Sequence, residues 1–210
     1  MLNPKLEKKS MASERLLDAA AEVFARDGLS SATTREIART AGVNEVTLFR
    51  NFQTKQNLLA AVLERAFDLK VSPEAERFAA LPPEADLAEF VTAFAEADHA
   101  NMTRNVSLMR VLIGEIQHFE EHELKVLRAI FRPRRQQLVE RLSVAQKNGE
   151  ANADFDPNIL VDQLVGMVFM GVLRAGSPLC LEYDPASYLR GCVRTILLAI
   201  APETTSRGQA

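Results

Sequence analysis

Two groups of residues have side chains whose types and spacing could do chemistry. The run His118-Phe119-Glu120-Glu121-His122 follows the H-x-x-E-H order, in which two histidines share a metal and the glutamate serves as a base. It falls near an expected helix junction and no third ligand can be named. The reading taken is therefore a polar, exposed helix end with no metal and no cofactor. The second group is Thr33, Thr34, Arg35, Asn44, Glu45, Val46, Thr47, Phe49, Arg50 and Lys55. Hydroxyls, amides and cations of this kind make no covalent bond; they hold phosphates and read base edges. The chain shows no nucleophile triad, phosphate-cradling glycine loop or paired carboxylates in a supporting context, so no catalytic residue and no enzyme is expected.

Short helices must position the second group. A first helix is expected from Ser10 or Ser13 to Asp27, with Leu16, Ala20, Val23 and Phe24 as its apolar stripe and Gly28 as its stop. Thr33 with Glu36 three residues on is a capping box for a second helix, which Gly42 ends. Asn44 caps a third helix through Asn51, with Glu45 at its positive end. Thr54 caps a fourth helix to about Lys70, where Ser72-Pro73 stops it. The four-residue join Ala41-Gly42-Val43-Asn44 crosses helices two and three steeply, the helix-turn-helix arrangement.

The stretch Thr33 to Phe52 resembles the DNA-binding head of the TetR/AcrR regulators. Ile37-Ala38, Ala41-Gly42-Val43, Thr47-Leu48-Phe49 and Phe52-Gln53-Thr54-Lys55 match the family's pattern, and the resemblance extends over about residues 13–60. Val46 stands where the family often has glycine, and Phe49 where it usually has tyrosine. The resemblance implies a DNA-binding head, a dimer and a ligand pocket in the body. Physically, Thr33, Thr34 and Arg35 at a helix N-terminus suit a phosphate, as does Lys55. Arg50 suits guanine, Val46 or the Thr47 methyl suits thymine, Glu45 can accept from cytosine, and Phe49 would lie along the sugar-phosphate edge.

Composition agrees with this division. Net charge is −3, but residues 1–70 carry 11 Lys+Arg against 9 Asp+Glu, while residues 71–210 carry 14 against 19. Further helices are expected at 84–103, 105–118, 120–148, 157–175 and 184–200, with Pro133 kinking or splitting the third of these. The Pro-containing segment Val71 to Pro83 reads as the seam between head and body. No signal peptide is expected. The apolar run Ile159–Leu173 reads as too short and too polar to cross a membrane. Cys180 and Cys192 form no disulfide framework, which suits a reduced cytoplasm.

The expectation is an all-α protein: an N-terminal three-helix head over 1–55 and a helical ligand-binding and dimerisation body over 56–210. Helices 157–175 and 184–200 would pair two copies. Two heads would then read a palindromic operator in double-stranded DNA. A pocket for a small, largely apolar effector would draw on Phe67, Phe90, Phe94, Met102, Met109, Ile113, Phe131, Met167 and Met170. The function read is a one-component transcription regulator acting as a repressor. The alternatives are the same fold governed by a protein partner, or a His-Glu metal enzyme.

Overall fold

The computed structural model describes residues 4–67, 72–175 and 183–202, and no strand occurs among them. The helices are α1 (Pro4–Asp27), α2 (Thr34–Thr40), α3 (Glu45–Phe52), α4 (Lys55–Ala66), α5 (Pro73–Ala80), α6 (Leu87–Arg104), α7 (Val106–Glu115), α8 (Glu121–Lys147), α9 (Pro157–Ala175) and α10 (Pro185–Ile200). A 3₁₀ turn, Ile116–His118, follows α7. The chain forms two compact units: residues 1–68 with 105–130, and residues 69–104 with 131–210. The single boundary drawn at 55/56 from sequence differs from this division. The first unit includes α4 and recruits α7 from far along the chain.

In the first unit α1 is the hub. Its Leu16, Ala20, Val23 and Phe24 are fully buried, and α2, α3, α4 and α7 all pack on it. The expected stripe is therefore the core of the head. In the second unit α6 plays that part, against α5, α9 and α10. Leu138 and Leu142 of α8 and Leu160 and Leu164 of α9 are buried in the same unit. Phe78 of α5 stands edge-on to both Phe90 and Phe94 of α6, with ring centroids 5.2 and 5.7 Å away.

Four expectations need correction. α1 begins at Pro4, earlier than Ser10. α4 ends at Ala66, with Phe67 as its C-cap, rather than near Lys70. Ser72-Pro73 starts a helix instead of stopping one. The Ser72 hydroxyl accepts from the Ala75 N–H, and Pro73 sits in the first turn, where its missing N–H costs nothing. Pro133 does not split α8, which runs unbroken from Glu121 to Lys147.

α9 spans the expected residues 157–175, but its length and composition differ from the reading of the apolar run within it as too short and too polar. With Pro157, Asn158, Arg174 and Ala175 it is 19 residues long, and by length and composition alone it could cross a membrane. Its Leu160, Val161, Leu164, Val168 and Val172 are buried, and α6 and α10 pack against it. Cys192 is buried and unpaired; Cys180 lies outside the described residues.

Candidate nucleic-acid interface

The turn between α2 and α3 is closed by two backbone bonds. The Val43 N–H donates to the Ala38 carbonyl at 3.0 Å, and the Gly42 N–H to the Arg39 carbonyl at 3.1 Å. This nested pair requires a left-handed residue at its apex, and Gly42 has φ +65°. The Asn44 side chain then accepts from the Thr47 N–H at 3.0 Å and opens α3. Leu48 is the buried residue of α3 and anchors it to the head.

Helix α2 opens as expected on Thr33, whose hydroxyl accepts from the Glu36 N–H at 3.2 Å. The reciprocal half of the capping box is replaced. The Glu36 carboxylate accepts from Arg39 at 2.6 and 2.9 Å and from Arg26 at 3.2 Å. Those hydrogen bonds, led by Arg39, hold the Glu36 carboxyl below its usual range against the cost of burial. Arg39 and Arg26 are thereby engaged on the protein itself. Arg35 and Arg50 stand exposed.

The outward face of α3 carries Val46, 72 % exposed, and Phe49, 44 % exposed, beside Arg50. Thr47 is half-buried. Glu45 is engaged, because its carboxylate accepts from the Thr34 hydroxyl and joins the first turns of α2 and α3. The sequence-predicted group is thus brought onto one unit: Thr33, Thr34 and Arg35 open α2, Asn44 to Arg50 form the start and outer face of α3, and Lys55 opens α4.

Lys55 is expected to bring a full charge to a phosphate from the start of α4. Its ammonium is half-buried and donates to the Ser30 carbonyl at 3.5 Å. Burial lowers its pKa, and the nearby Glu115 opposes that. Glu115 is the residue that sequence reasoning missed. From α7 it accepts the Leu29 N–H at 2.8 Å, the Ser30 N–H at 2.9 Å and the Ser30 hydroxyl at 2.5 Å. A separation of 85 residues leaves no local pattern to find it by. The need of Gly28 for a positive φ, +84°, was the nearest available signal.

The histidine run does not assemble. His118 ends the 3₁₀ turn, His122 lies on α8, both are exposed, and Glu121 is paired with Arg128 at 2.8 Å. Among the described residues no group of three or more His, Cys, Asp or Glu is placed to hold a metal.

The expected pocket residues scatter. Phe67, Met109 and Ile113 belong to the first unit, the first buried and the last exposed. Phe90, Phe94 and Met102 are buried in the second unit, Phe131 and Met167 are half-buried there, and Met170 is exposed. Of these, Phe90 borders a cavity of about 260 Å³, walled also by Phe78, Leu81, Pro83 and Val144, with Gln137, Glu140 and Arg141 as polar members. Met167 borders a more open hollow with Tyr188 and Cys192.

A capped helix-turn-helix with an exposed second helix, followed by a helical body, defines the class of helix-turn-helix regulators. Comparison with known proteins agrees. Residues 16–62 match the bacterial regulatory proteins of the tetR family, and residues 82–184 match the tetracyclin repressor-like C-terminal domain. The chain belongs to the TetR family of DNA-binding transcription regulators.

Among curated relatives, the uncharacterized HTH-type transcriptional regulator YvkB of Bacillus subtilis is 45 % identical over 53 residues, covering 25 % of this chain and 28 % of YvkB. The nucleoid occlusion factor SlmA of Vibrio cholerae is 29 % identical over 170 residues, covering 77 % of this chain and 82 % of SlmA. Two solved structures share the fold. AibR in complex with isovaleryl coenzyme A and operator DNA has a TM-score of 0.68 at 20 % identity, covering 91 % of this chain and 99 % of AibR. The TetR family regulator PfmR from Thermus thermophilus has a TM-score of 0.67 at 20 % identity, covering 88 % of this chain and 97 % of PfmR.

Proposed function

We propose that the chain is a one-component repressor that acts in the cytoplasm, binds a palindromic operator in double-stranded DNA as a homodimer, and is released by a small, largely apolar effector. The observation that carries the reading is the outer face of α3. There Val46 and Phe49 leave apolar surface in water beside Arg50, on a helix rigidly set by the Gly42 turn and the Asn44 cap. Apolar groups next to a guanidinium match the methyl and acceptor pattern of a major groove better than they match solvent. Residues 1–55 supply the DNA contacts and residues 56–210 the effector site and the dimer.

Two further features support the assembly. Ile159 on α9 and Leu198 on α10 are 57 % and 65 % exposed. Gly166 and Gly191, on the same helices, have open space where a Cβ would stand, so another helix can approach closely there. The cavity of about 260 Å³ beside Phe78 and Phe90 is the effector site favoured in this reading. The AibR structure holds a coenzyme A thioester together with DNA, so the shared fold accommodates both kinds of ligand.

Selection from random duplex DNA at moderate salt tests the reading. The expected result is a palindromic consensus with half-sites about one helical turn apart. Absence of enrichment at low salt, from protein shown by native mass spectrometry to carry no retained small molecule, overturns it.

A second reading keeps the DNA-binding head but has the body engage a protein. It is favoured by the long match to proteins named for nucleoid occlusion rather than for an effector. Recovery of a DNA consensus with no small molecule able to alter its binding would prefer it.

A further inference from the structure

The α1–α2 turn is held from two sides. Glu115 takes both backbone N–H groups and the hydroxyl at Leu29 and Ser30, while Lys55 approaches the Ser30 carbonyl. Gly28 completes the seat. A Cβ there would lie 2.7 Å from the Glu115 Oε1 atom, on a backbone already at φ +84°. α7 is fastened at its other end as well, where the Asn105 side chain donates to the Ala66 carbonyl at the end of α4, at 2.7 Å. The turn held in this way leads within three residues to Thr33, the cap of α2.

We infer that Glu115 is a positioning residue for DNA binding: it presets the α1–α2 turn and the Lys55 ammonium, and through them the phosphate-facing groups at the starts of α2 and α4. The inference rests on the chain's being a DNA-binding regulator.

Two arguments separate this role from a simple brace. First, Glu115 is only half-buried, and Ser30, which it holds, is exposed. Water can satisfy the Ser30 groups when the carboxylate is removed, which leaves the Leu29 N–H as the one group whose loss bears on stability. Second, the carboxylate acts on a cation. Burial disfavours the Glu115 charge, but Ser30, the Leu29 N–H and the Lys55 ammonium outweigh it and hold the carboxyl below its usual range. The charge is therefore present at neutral pH, and it favours the Lys55 ammonium at the Ser30 carbonyl beside the head of α4. A neutral amide at position 115 would offer one acceptor, turn its NH₂ against a backbone donor and release Lys55.

The test uses the full chain and its Glu115→Gln, Glu115→Asp, Lys55→Met and Glu115→Gln/Lys55→Met variants. Each is titrated by fluorescence anisotropy against a random-sequence duplex and the selected consensus duplex over a range of KCl. Glu115→Gln should weaken binding to both duplexes by roughly tenfold, the scale of one charge-assisted contact. It should also flatten the dependence of log K on log salt by about one unit per head. Glu115→Asp, which keeps the charge, should recover part of the slope. In the Lys55→Met background Glu115→Gln should change the slope no further. Thermal unfolding reports the structural contribution separately.

A lowered melting temperature with unchanged affinity and slope overturns the inference, as does a loss of affinity of equal size in both Lys55 backgrounds. Failure of the unsubstituted chain to bind either duplex overturns the DNA-binding reading first. That outcome is distinct from a wild type that binds while the variants match it.

Discussion

Arg134 of α8 donates to Asp98 of α6 through one guanidinium nitrogen, and both side chains are buried within the second unit. The pair uses only part of its capacity, since the second Asp98 oxygen and the other terminal Arg134 nitrogen have no hydrogen-bond partner among the described residues. Arg134 also lies over the Phe94 ring, 5.9 Å from its centroid. Burial pushes the Asp98 carboxyl up and the Arg134 guanidinium down, each opposed by the other's charge.

Removing one partner should therefore cost far more than removing both. Asp98→Ala leaves a buried cation alone and should destabilise the chain by about 3–5 kcal/mol, whereas Asp98→Leu with Arg134→Met should come close to the starting stability. Denaturant midpoints check both. The pH dependence has a definite sign. With its folded pKa raised, Asp98 favours the folded state fully below the ordinary carboxylate range, and that contribution is lost as pH rises through the raised value. Asp98→Asn should abolish this slope. A single-site loss no larger than that of the double variant would show the pair to be dispensable.

A side chain at Gly42 should be strained by the backbone angle, although there is empty space around it. Gly42→Ala should cost about 1 kcal/mol through backbone strain alone. It should also weaken DNA binding more than its stability loss explains, because the turn sets the angle of α3. Unfolding and anisotropy on the same preparation separate the two effects.

Arg50 and the Thr34–Glu45 bond should govern sequence preference. Arg50→Ala should leave stability unchanged and relax the consensus at one position, by about 1–3 kcal/mol of discrimination if it grips a guanine. Thr34→Val releases Glu45 from its intramolecular donor. The consensus selected with that variant should tolerate more bases at the position Glu45 reads. An unaltered consensus would remove Glu45 from the reading surface.

Leu198, exposed on α10, should matter to assembly and not to folding of the single chain. Leu198→Arg should shift sedimentation from dimer to monomer while helical content is retained. Operator affinity should fall with it, because two tethered heads bind far more tightly than one. A dimer that survives this change and Ile159→Arg would place the contact elsewhere.

How much of this was legible beforehand depended on how local each determinant is. The turn at Gly42 and the caps at Thr33, Asn44 and Thr54 are written within four residues of the groups they serve, and all three caps form where expected. The α1 stripe was equally plain, since four apolar residues at helical spacing have one way to be buried together. Ser72-Pro73 was misread because a serine before a proline fits both a chain break and a helix start. The residues after the proline decide between them, and Ala75 and Phe78 are the buried face of α5. Glu115 could not be read at all. Its partners are two backbone amides and a hydroxyl on a distant loop, chosen by packing and not by side-chain type. The pocket was the least legible part, because Phe and Met look alike in sequence whether they fill a core or line a space. Of the nine residues expected, Phe90 borders the cavity beside Phe78 and Met167 the hollow beside Tyr188.

The bond between Thr34 and Glu45 also bears on which base edges the carboxylate could accept from. Before any duplex arrives, the carboxylate already has its donor. A base edge presenting an amino group can offer a replacement and leave the exchange nearly even. An edge presenting only oxygen or ring nitrogen separates the carboxylate from its hydroxyl and returns repulsion. Were Glu45 to meet a base edge, selectivity there would rest as much on the donor the carboxylate must give up as on the one it gains.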